Sequence, residues 1–295
     1  VALADLVPDT DALIARLAEH DYLAETGLAT ALFCAVRLPQ PLLLEGEAGV
    51  GKTQAAKALA GMLDTPLIRL QCFEGIDASE ALYEWNYPRQ LLGIRLAEAQ
   101  GAHLEEDALF SREFLIDRPL LQALEHPGPN PAVLLIDEVD RADEEFEAFL
   151  FEMLAEGTVT VPEIGTLRAA VPPIVILTSN RTRDLHDALK RRCLYHWIDY
   201  PDLEHATRIV RLRVPAAPAE LVEQIAAAVQ RLRGIDVQKP PGVAEAIDWV
   251  NAAMLLGIPV LDADAVDRTL GSVLKYREDQ DLARAEGLAW VASGA

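Results

Sequence analysis

Cysteine is scarce in this 295-residue chain: Cys34, Cys72 and Cys193 stand far apart, with no CxxC pair. That leaves no disulfide or zinc framework. It fits a reducing compartment in which such thiols serve as small buried apolar residues. Basic charge is also in short supply. Lys and Arg number 26 against 47 Asp and Glu, for a net charge of -21. A chain this acidic has no bulk positive face for nucleic acid or for an anionic membrane surface. Long apolar runs are missing too. The longest, such as PAVLLI and VPPIVIL, have strand length, far short of the roughly 18 residues of a membrane helix. The opening VALADLVPDT lacks a basic stretch followed by an apolar one, so no secretory leader is expected in it. The absences together point to a cytoplasmic protein that neither binds nucleic acid nor inserts into a membrane. There is no internal repeat and no low-complexity tract.

What is present is an ordinary globular composition, 51% hydrophobic and 25% charged, in a chain long enough to bury a large core. Up to about residue 38 the pattern is helical. Ala12, Leu13, Arg16 and Leu17 keep a helix period, as do Leu28, Leu32, Ala35 and Val36, before Pro39 and Pro41 stop it. Five apolar runs of strand length then alternate with helical segments: PLLLEG, PLIRLQC, AVLLIDE, PIVILTSN and LYHWIDY. Such alternation predicts a parallel sheet with crossover helices, an α/β fold. Thr158 to Val171, with β-branched residues, Pro162 and Gly165, reads as a small hairpin interrupting it. After Asp199 strand-like runs vanish and helices follow. A boundary near Tyr200 and Pro201 therefore divides an α/β domain, 1–200 with its helical start at 1–38, from a helical domain, 201–295. The acidity belongs mainly to the first, which holds 33 acids and 16 bases against 14 and 10 in the second.

LLLEGEAGVGKT contains the strongest motif. Gly46, Gly51, Lys52 and Thr53 match GxxxxGK[ST], and Glu47, Ala48, Gly49 and Val50 fill the loop. Glycines free such a loop to wrap a phosphate with backbone N–H groups at a helix start, where the dipole favours an anion. Lys52 would reach the β- and γ-phosphates of ATP, and Thr53 would offer a hydroxyl to Mg2+. An apolar strand before the motif and the helical TQAAKALAGML after it are the context it requires.

The run AVLLIDEVD ends a buried strand on Asp137 and Glu138. After a phosphate loop, the first acid holds Mg2+ and the second can orient and deprotonate an attacking water. PIVILTSN ends on Asn180, whose amide is placed to hold that water; the alternative is a turn-forming Asn. Lys190, Arg191 and Arg192 close a short helix. Either they offset its dipole, or one is an arginine finger for a neighbouring subunit, with Arg192 favoured over Arg191. The NKxD motif of common GTPases is absent. A helicase reading of DEVD fails because the last 95 residues are helical, not a second α/β domain.

Phosphate loop, DE strand, Asn-tipped strand, arginine pair and helical tail follow the order of AAA+ ATPases, and the chain resembles the MoxR group among them. DEVDRADEEFEAFLFEMLAEG, including Arg141, resembles that group's stretch after the catalytic acid, and EGTVTVPEIGTLRA resembles the hairpin before its sensor strand. LQCFEGIDASEALYEWNYPRQLL, FLIDRPLLQAL and KPPGVAEAIDW are similar to the CoxD-like subgroup, which is associated with maturing the molybdenum–copper site of carbon monoxide dehydrogenase. The resemblance covers roughly residues 20–255. It implies a P-loop AAA+ core with a C-terminal α-helical lid and a homo-oligomer in a hexameric ring. It also implies a von Willebrand A-domain partner, a client metalloenzyme such as a molybdenum hydroxylase, and an insertion within residues 84–103. Many MoxR proteins carry a lid Arg as a second γ-phosphate sensor. KPPGVAE has none, and Lys239 either stands in for it or is a solvated loop residue.

Tyr22 and Leu23 precede the phosphate loop at the distance where AAA+ proteins line the adenine pocket; core packing is the equal rival. Trp85 and Tyr87 lie in a segment that can face a ring pore or a client. Phe146, Phe149, Leu150, Met153 and Leu154 share a helical face and read as core. His103, His126 and His186 lack ligand spacing and read as surface residues. The ten acids between Asp137 and Glu163 form a solvated face or a docking surface for a basic partner. Two rival functions stand beside the ATP-driven motor: a nucleotide-gated switch with negligible turnover, and a DNA-acting AAA+ protein, which the acidic balance opposes.

Overall fold

All five apolar runs pair into one sheet. The strands are β1 (Leu42–Glu45), β2 (Leu67–Gln71), β5 (Val133–Asp137), β8 (Ile174–Ser179) and β9 (Leu194–Trp197), and the spatial order is β2-β5-β8-β1-β9. The computed structural model describes residues 7–38, 40–101 and 105–293, so Pro39 and His103 lie outside the described residues. Every pairing in this sheet is parallel. β1, β5 and β8 are buried along their whole length. Strands covered on both faces read as continuous apolar runs because neither face meets water. In the register Leu44 lies beside Thr178, Ile136 beside Leu177, and Gln71 beside Asp137, so the carboxyl ends of β1, β2, β5 and β8 share one edge. In open α/β sheets ligands bind outside that edge.

The chain divides into two compact units. One contains Ala24–Glu45 and Thr53–Trp197, with the segment ending at His20. Its core is continuous from Leu43 through Leu134, Ile136 and Leu177 to Phe146 and Leu150. Phe149 and Leu154 are partly buried against that core, as their helical face predicts; the side chain of Met153 lies outside the described residues. The helices Thr10–Glu19 and Thr26–Arg37 form where the early periodicity placed them. The hairpin appears as β6 (Thr158–Val161) antiparallel to β7 (Gly165–Arg168).

Between β2 and β5 the structure holds more than a helix. β3 (Tyr83–Trp85) pairs antiparallel with β4 (Leu115–Asp117), and the helix Tyr87–Ala99 runs between them. The expectation that Trp85 faces a pore or client is corrected here. Its indole is 7% exposed and stacks edge-on with Phe110 at 5.2 Å and Tyr83 at 6.1 Å. Alternation in the short strand turns Trp85 into the core. Tyr87, by contrast, is 63% exposed. His186 is exposed and caps its own helix through Nδ1, while His126 is half-buried. Cys72 is buried, whereas Cys34 and Cys193 are half-buried, short of the full burial expected of them.

The second unit joins Ile198–Ala295 to two short upstream segments, Asp21–Leu23 and Gly46–Lys52. Its main helices are Leu203–Arg213, Ala219–Arg233, Val243–Leu255, Ala263–Val273 and Arg277–Glu286. Asp202 and Asp262 cap two of them by accepting backbone N–H bonds from His205 and Ala265. Trp249 is the largest fully buried side chain of the bundle, packed among Leu221, Val250 and Leu270. Its indole N–H donates to Thr269 Oγ1 at 2.6 Å, and the Thr269 hydroxyl donates in turn to Ala265 O. No helix among the described residues is long and apolar enough to cross a membrane.

Thr269→Val keeps the volume and strands the indole N–H in an apolar bundle. It should cost about 1–3 kcal/mol, read as a lower urea midpoint with an unchanged denaturant slope.

Candidate functional site

The phosphate loop, residues 46–52, packs against other segments of the second unit. Gly46 approaches so closely that a Cβ on it would lie 2.4 Å from Ile198 O. Gly49 has a φ of +81°, and its Cβ would fall 2.8 Å from Glu245 Oε2 and 3.4 Å from Gly242 Cα. Gly49 is therefore fixed twice, by a left-handed backbone and by the start of the Val243–Leu255 helix. Glu245 Oε2 accepts the Gly242 N–H at 2.8 Å and completes the cap of that helix. Lys52 is 7% exposed, and its ammonium donates to the loop's own carbonyls, Gly46 O at 2.6 Å and Glu47 O at 2.7 Å. A cation is thus held at the loop, as a phosphate-binding loop requires.

Two upstream residues belong to the same unit as that loop. A Cβ on Gly51 would lie 3.7 Å from the Tyr22 ring, and Leu23 O is 3.1 Å from His205 Nε2. Both therefore sit among residues of the second unit. The ammonium of Lys239 is exposed; its backbone N–H bonds Asp279. The cation built into the nearby turn is Arg233. Its guanidinium lies 4.3 Å over the Tyr200 ring and donates to Pro241 O at 2.6 Å, while Tyr200 donates to Pro240 O at 3.1 Å. Burial, with Glu47 close by, pushes the Tyr200 hydroxyl up to about 12, so it stays a donor at neutral pH.

In the first unit, Asp137 is 2% exposed at the end of β5. Thr53 Oγ1 donates to both its oxygens, at 3.1 and 3.3 Å, and Thr178 donates to Oδ1. Arg69, on β2, closes the set with Nη2 at 2.6 Å and Nε at 2.9 Å from Oδ2. The next residue, Glu138, is left-handed at φ 55° and ψ 50°. For a residue with a Cβ that costs about 1–3 kcal/mol, and it turns the Glu138 side chain off the strand axis. Thr178 Oγ1 steadies the turn by accepting the Glu138 N–H at 2.9 Å. Glu138 Oε2 then accepts from Gln71 at 2.9 Å and from Arg141 at 3.1 Å.

Asp140 is also 2% exposed. It accepts the backbone N–H of Asn180 at 3.3 Å and of Thr182 at 2.8 Å, plus the Thr182 hydroxyl at 2.7 Å. The turn after β5 and the exit of β8 are thereby locked together, with Asn180 half-buried between them. Arg191 and Arg192 are both exposed in the last turn of the helix Asp187–Arg192, away from this lock in the chain. Burial among Asp137, Asp140, Glu138 and Glu147 pushes the Cys72 thiol up to about 12, and burial alone does the same for Cys193. Neither is a thiolate nucleophile at neutral pH.

Arg69, Gln71, Thr178 and Asp140 escaped the reading of motifs. A signal for the first two existed: LIRLQ places polar residues at alternate positions in a strand of an otherwise apolar parallel sheet. The donor chemistry suits Mg2+. A hydroxyl and a carboxylate already hydrogen-bonded to each other are hard oxygen ligands, and Mg2+ takes only one or two of these beside substrate phosphates. Among the described residues no group of three or more His, Cys, Asp or Glu could hold a metal ion.

A family model described as the AAA domain, dynein-related subfamily, matches residues 41–193. An uncharacterized protein of Staphylococcus aureus strain NCTC 8325 is 27% identical over 216 residues, covering 71% of this chain and 73% of the relative. A crystal structure of a candidate ATPase from Cytophaga hutchinsonii is similar in fold, with a TM-score of 0.50 and 16% identity, covering 97% of this chain and 91% of that one.

Lys52→Ala removes the charge held at the loop without touching its glycines. Nucleotide affinity should fall on the order of 10–100-fold, the equivalent of one charge-assisted bond, in a calorimetric titration with ATP. Unchanged affinity would remove residues 46–53 from phosphate binding.

Proposed function

Because the chain belongs to the AAA domain family, dynein-related subfamily, we propose that it is a Mg2+-dependent ATPase of the MoxR type that remodels a protein client. At the family level it is an AAA+ ATPase. The observation that carries the hydrolytic part of this reading is the pair at the end of β5, where Asp137 is bonded to the Thr53 hydroxyl and Glu138 is turned out by its left-handed backbone. Lys52 and Thr53 are consecutive, so one loop supplies both the phosphate cation and the hydroxyl of the metal side. Gly46, Glu47, Ala48, Gly49, Val50 and Gly51 supply the wrapping backbone, and Tyr22 and Leu23 border the base.

Thr53 and Asp137 would hold the metal ion, which supplies charge neutralisation to the β- and γ-phosphates. Glu138 takes the proton of the attacking water as its oxygen bonds to the γ-phosphorus. The bond from that phosphorus to the bridging oxygen breaks, and ADP leaves with the electron pair. Gln71 and Arg141 both hold Glu138 on Oε2, and Oε1 is the oxygen that takes the proton. Asn180 orients the water, its backbone fixed by Asp140. Arg192, with Arg191 as its neighbour, is exposed and is offered to the γ-phosphate of the next subunit in a ring.

The CoxD-like segments support a narrower assignment. It is a hexameric cytoplasmic ring acting with a von Willebrand A-domain protein on a client metalloenzyme such as a molybdenum hydroxylase. Lys239 is not needed as a lid sensor in this scheme, because its ammonium is exposed and Arg233 is the cation packed into the turn. Turnover measured with and without the client separates a motor from a nucleotide-gated switch.

Glu138→Gln should bind ATP as the wild type does and hydrolyse it on the order of 10²–10⁴-fold more slowly, in a phosphate-release assay. Turnover near wild type would refute Glu138 as the base.

Arg192→Ala should also bind ATP and lose on the order of 10³-fold in turnover. Mixing it with Glu138→Gln should restore part of the activity, because some junctions then pair an intact Glu138 with an intact Arg192. A dead mixture, with subunit exchange demonstrated, would place Arg192 in its own subunit's chemistry or require every junction at once. Full activity of Arg192→Ala alone would pass the role to Arg191.

A further inference from the structure

Asp137 is more crowded than a metal-side carboxylate should be. An ionised carboxylate offers about four lone-pair sites. Here Thr178 takes Oδ1, Arg69 takes Oδ2 twice, at 2.6 and 2.9 Å, and Thr53 straddles both oxygens. A divalent cation that uses Asp137, directly or through its own water, needs Oδ2 or Oδ1 as an acceptor. Thr178 cannot give way cheaply, being 1% exposed inside β8 and holding the Glu138 N–H as well. Thr53 belongs to the metal side itself. Arg69 is the partner that can leave: its side chain is 48% exposed, whereas that of Asp137 is 4% exposed.

Resting on the Mg2+-ATPase reading above, we propose that Arg69 competes with the divalent cation for Asp137 and thereby sets the chain's metal affinity. Two cations on one carboxylate oxygen repel strongly at a site this dry. One excludes the other. With Arg69 in place the buried carboxylate is neutralised, which removes the cost of an unpaired charge in the core. With a metal ion on Asp137, Arg69 would swing outward into solvent. Gln71, two residues on and on the same face of β2, gives it somewhere to go, because the Arg69 guanidinium also donates to Gln71 Oε1. The fork geometry matters, since both N–H groups converge on a single oxygen and block it from two sides. Arg141 is the useful contrast. It is a nearby cation that contacts Glu138 and not Asp137.

The test measures metal binding rather than turnover. Mn2+ is titrated into the full chain by electron paramagnetic resonance, with and without a saturating non-hydrolysable ATP analogue, for wild type, Arg69→Gln, Arg69→Met and Arg141→Gln. Arg69→Gln should bind Mn2+ about tenfold more tightly, the equivalent of removing one charge-assisted competitor. Arg69→Met keeps the stem, should move the same way, and carries the test if the Gln variant does not fold. Arg141→Gln should stay within about twofold of wild type. Folding of each variant is checked by circular dichroism. Unchanged or weaker Mn2+ binding in the folded Arg69 variants overturns the competition while leaving the ATPase reading intact. An equal gain in Arg141→Gln overturns it as well, because bulk charge would then explain the effect. Absence of Mn2+ binding in the wild type and in the folded Arg69 variants alike, with or without nucleotide, refutes the ATPase reading and the competition together.

Discussion

A carboxylate 2% exposed has to be satisfied or it does not stay charged, and at Asp137 that requirement organises the whole end of the sheet. Its donors come from three places in the chain: Thr53 in the helix Lys52–Met62, Arg69 on β2 and Thr178 on β8. Each bond ties one element to the end of β5. The sheet register carries the same information, with Gln71 beside Asp137 and Ile136 beside Leu177. A slip of one residue in either neighbouring strand would turn Arg69 or Thr178 to the opposite face and leave the carboxylate bare. Packing of the apolar strands and pairing of one acid therefore enforce the same register.

The turn that follows spends backbone strain on direction. Left-handed Glu138 leaves the strand at an angle that straight β5 would not allow, and Asp140 then reaches the exit of β8. Two buried acids in four residues serve different ends. Asp137 gathers a hydroxyl and a guanidinium, whereas Asp140 gathers backbone N–H groups and the Thr182 hydroxyl. Only the first is chemically suited to exchange a partner for a metal ion, because a backbone N–H cannot be displaced without unfolding the turn. Within DEVD, one buried acid is therefore paired with side chains alone and the other mainly with backbone.

The phosphate loop shows a different economy. Its glycines answer to steric limits set by the rest of the second unit: Ile198 O beside Gly46, and Gly242 and Glu245 beside Gly49. The turn carrying Gly242 is itself held by Arg233 and Tyr200, through Pro241 O and Pro240 O. Lys239, the cation that the linear pattern offers at this turn, contributes its backbone to Asp279 instead. A guanidinium stacked on an aromatic ring keeps its shape in a half-buried setting better than a flexible, strongly hydrated ammonium.

Much of this was legible in the one-dimensional pattern. Five apolar runs specified five parallel strands, three of which, β1, β5 and β8, are buried along their whole length. GxxxxGKT marked the loop that opens the helix Lys52–Met62, and DE after a buried strand located the acids at the end of β5. Those features are local: each depends on composition and spacing within about ten residues, which covalent geometry and burial translate directly into structure. Trp85 was not legible, because three residues of strand carry too little pattern to say which face is buried. Arg69 and Gln71 were legible only as an oddity in β2. What they do was decided when β2 paired with β5 in parallel, bringing residues 67 or more positions apart in the chain within hydrogen-bond reach of Asp137 and Glu138. The sequence by itself determined which residues could do chemistry. Tertiary structure decided which partners restrain them, because hydrogen bonds and ion pairs act over a few ångströms of space and take no account of distance along the chain.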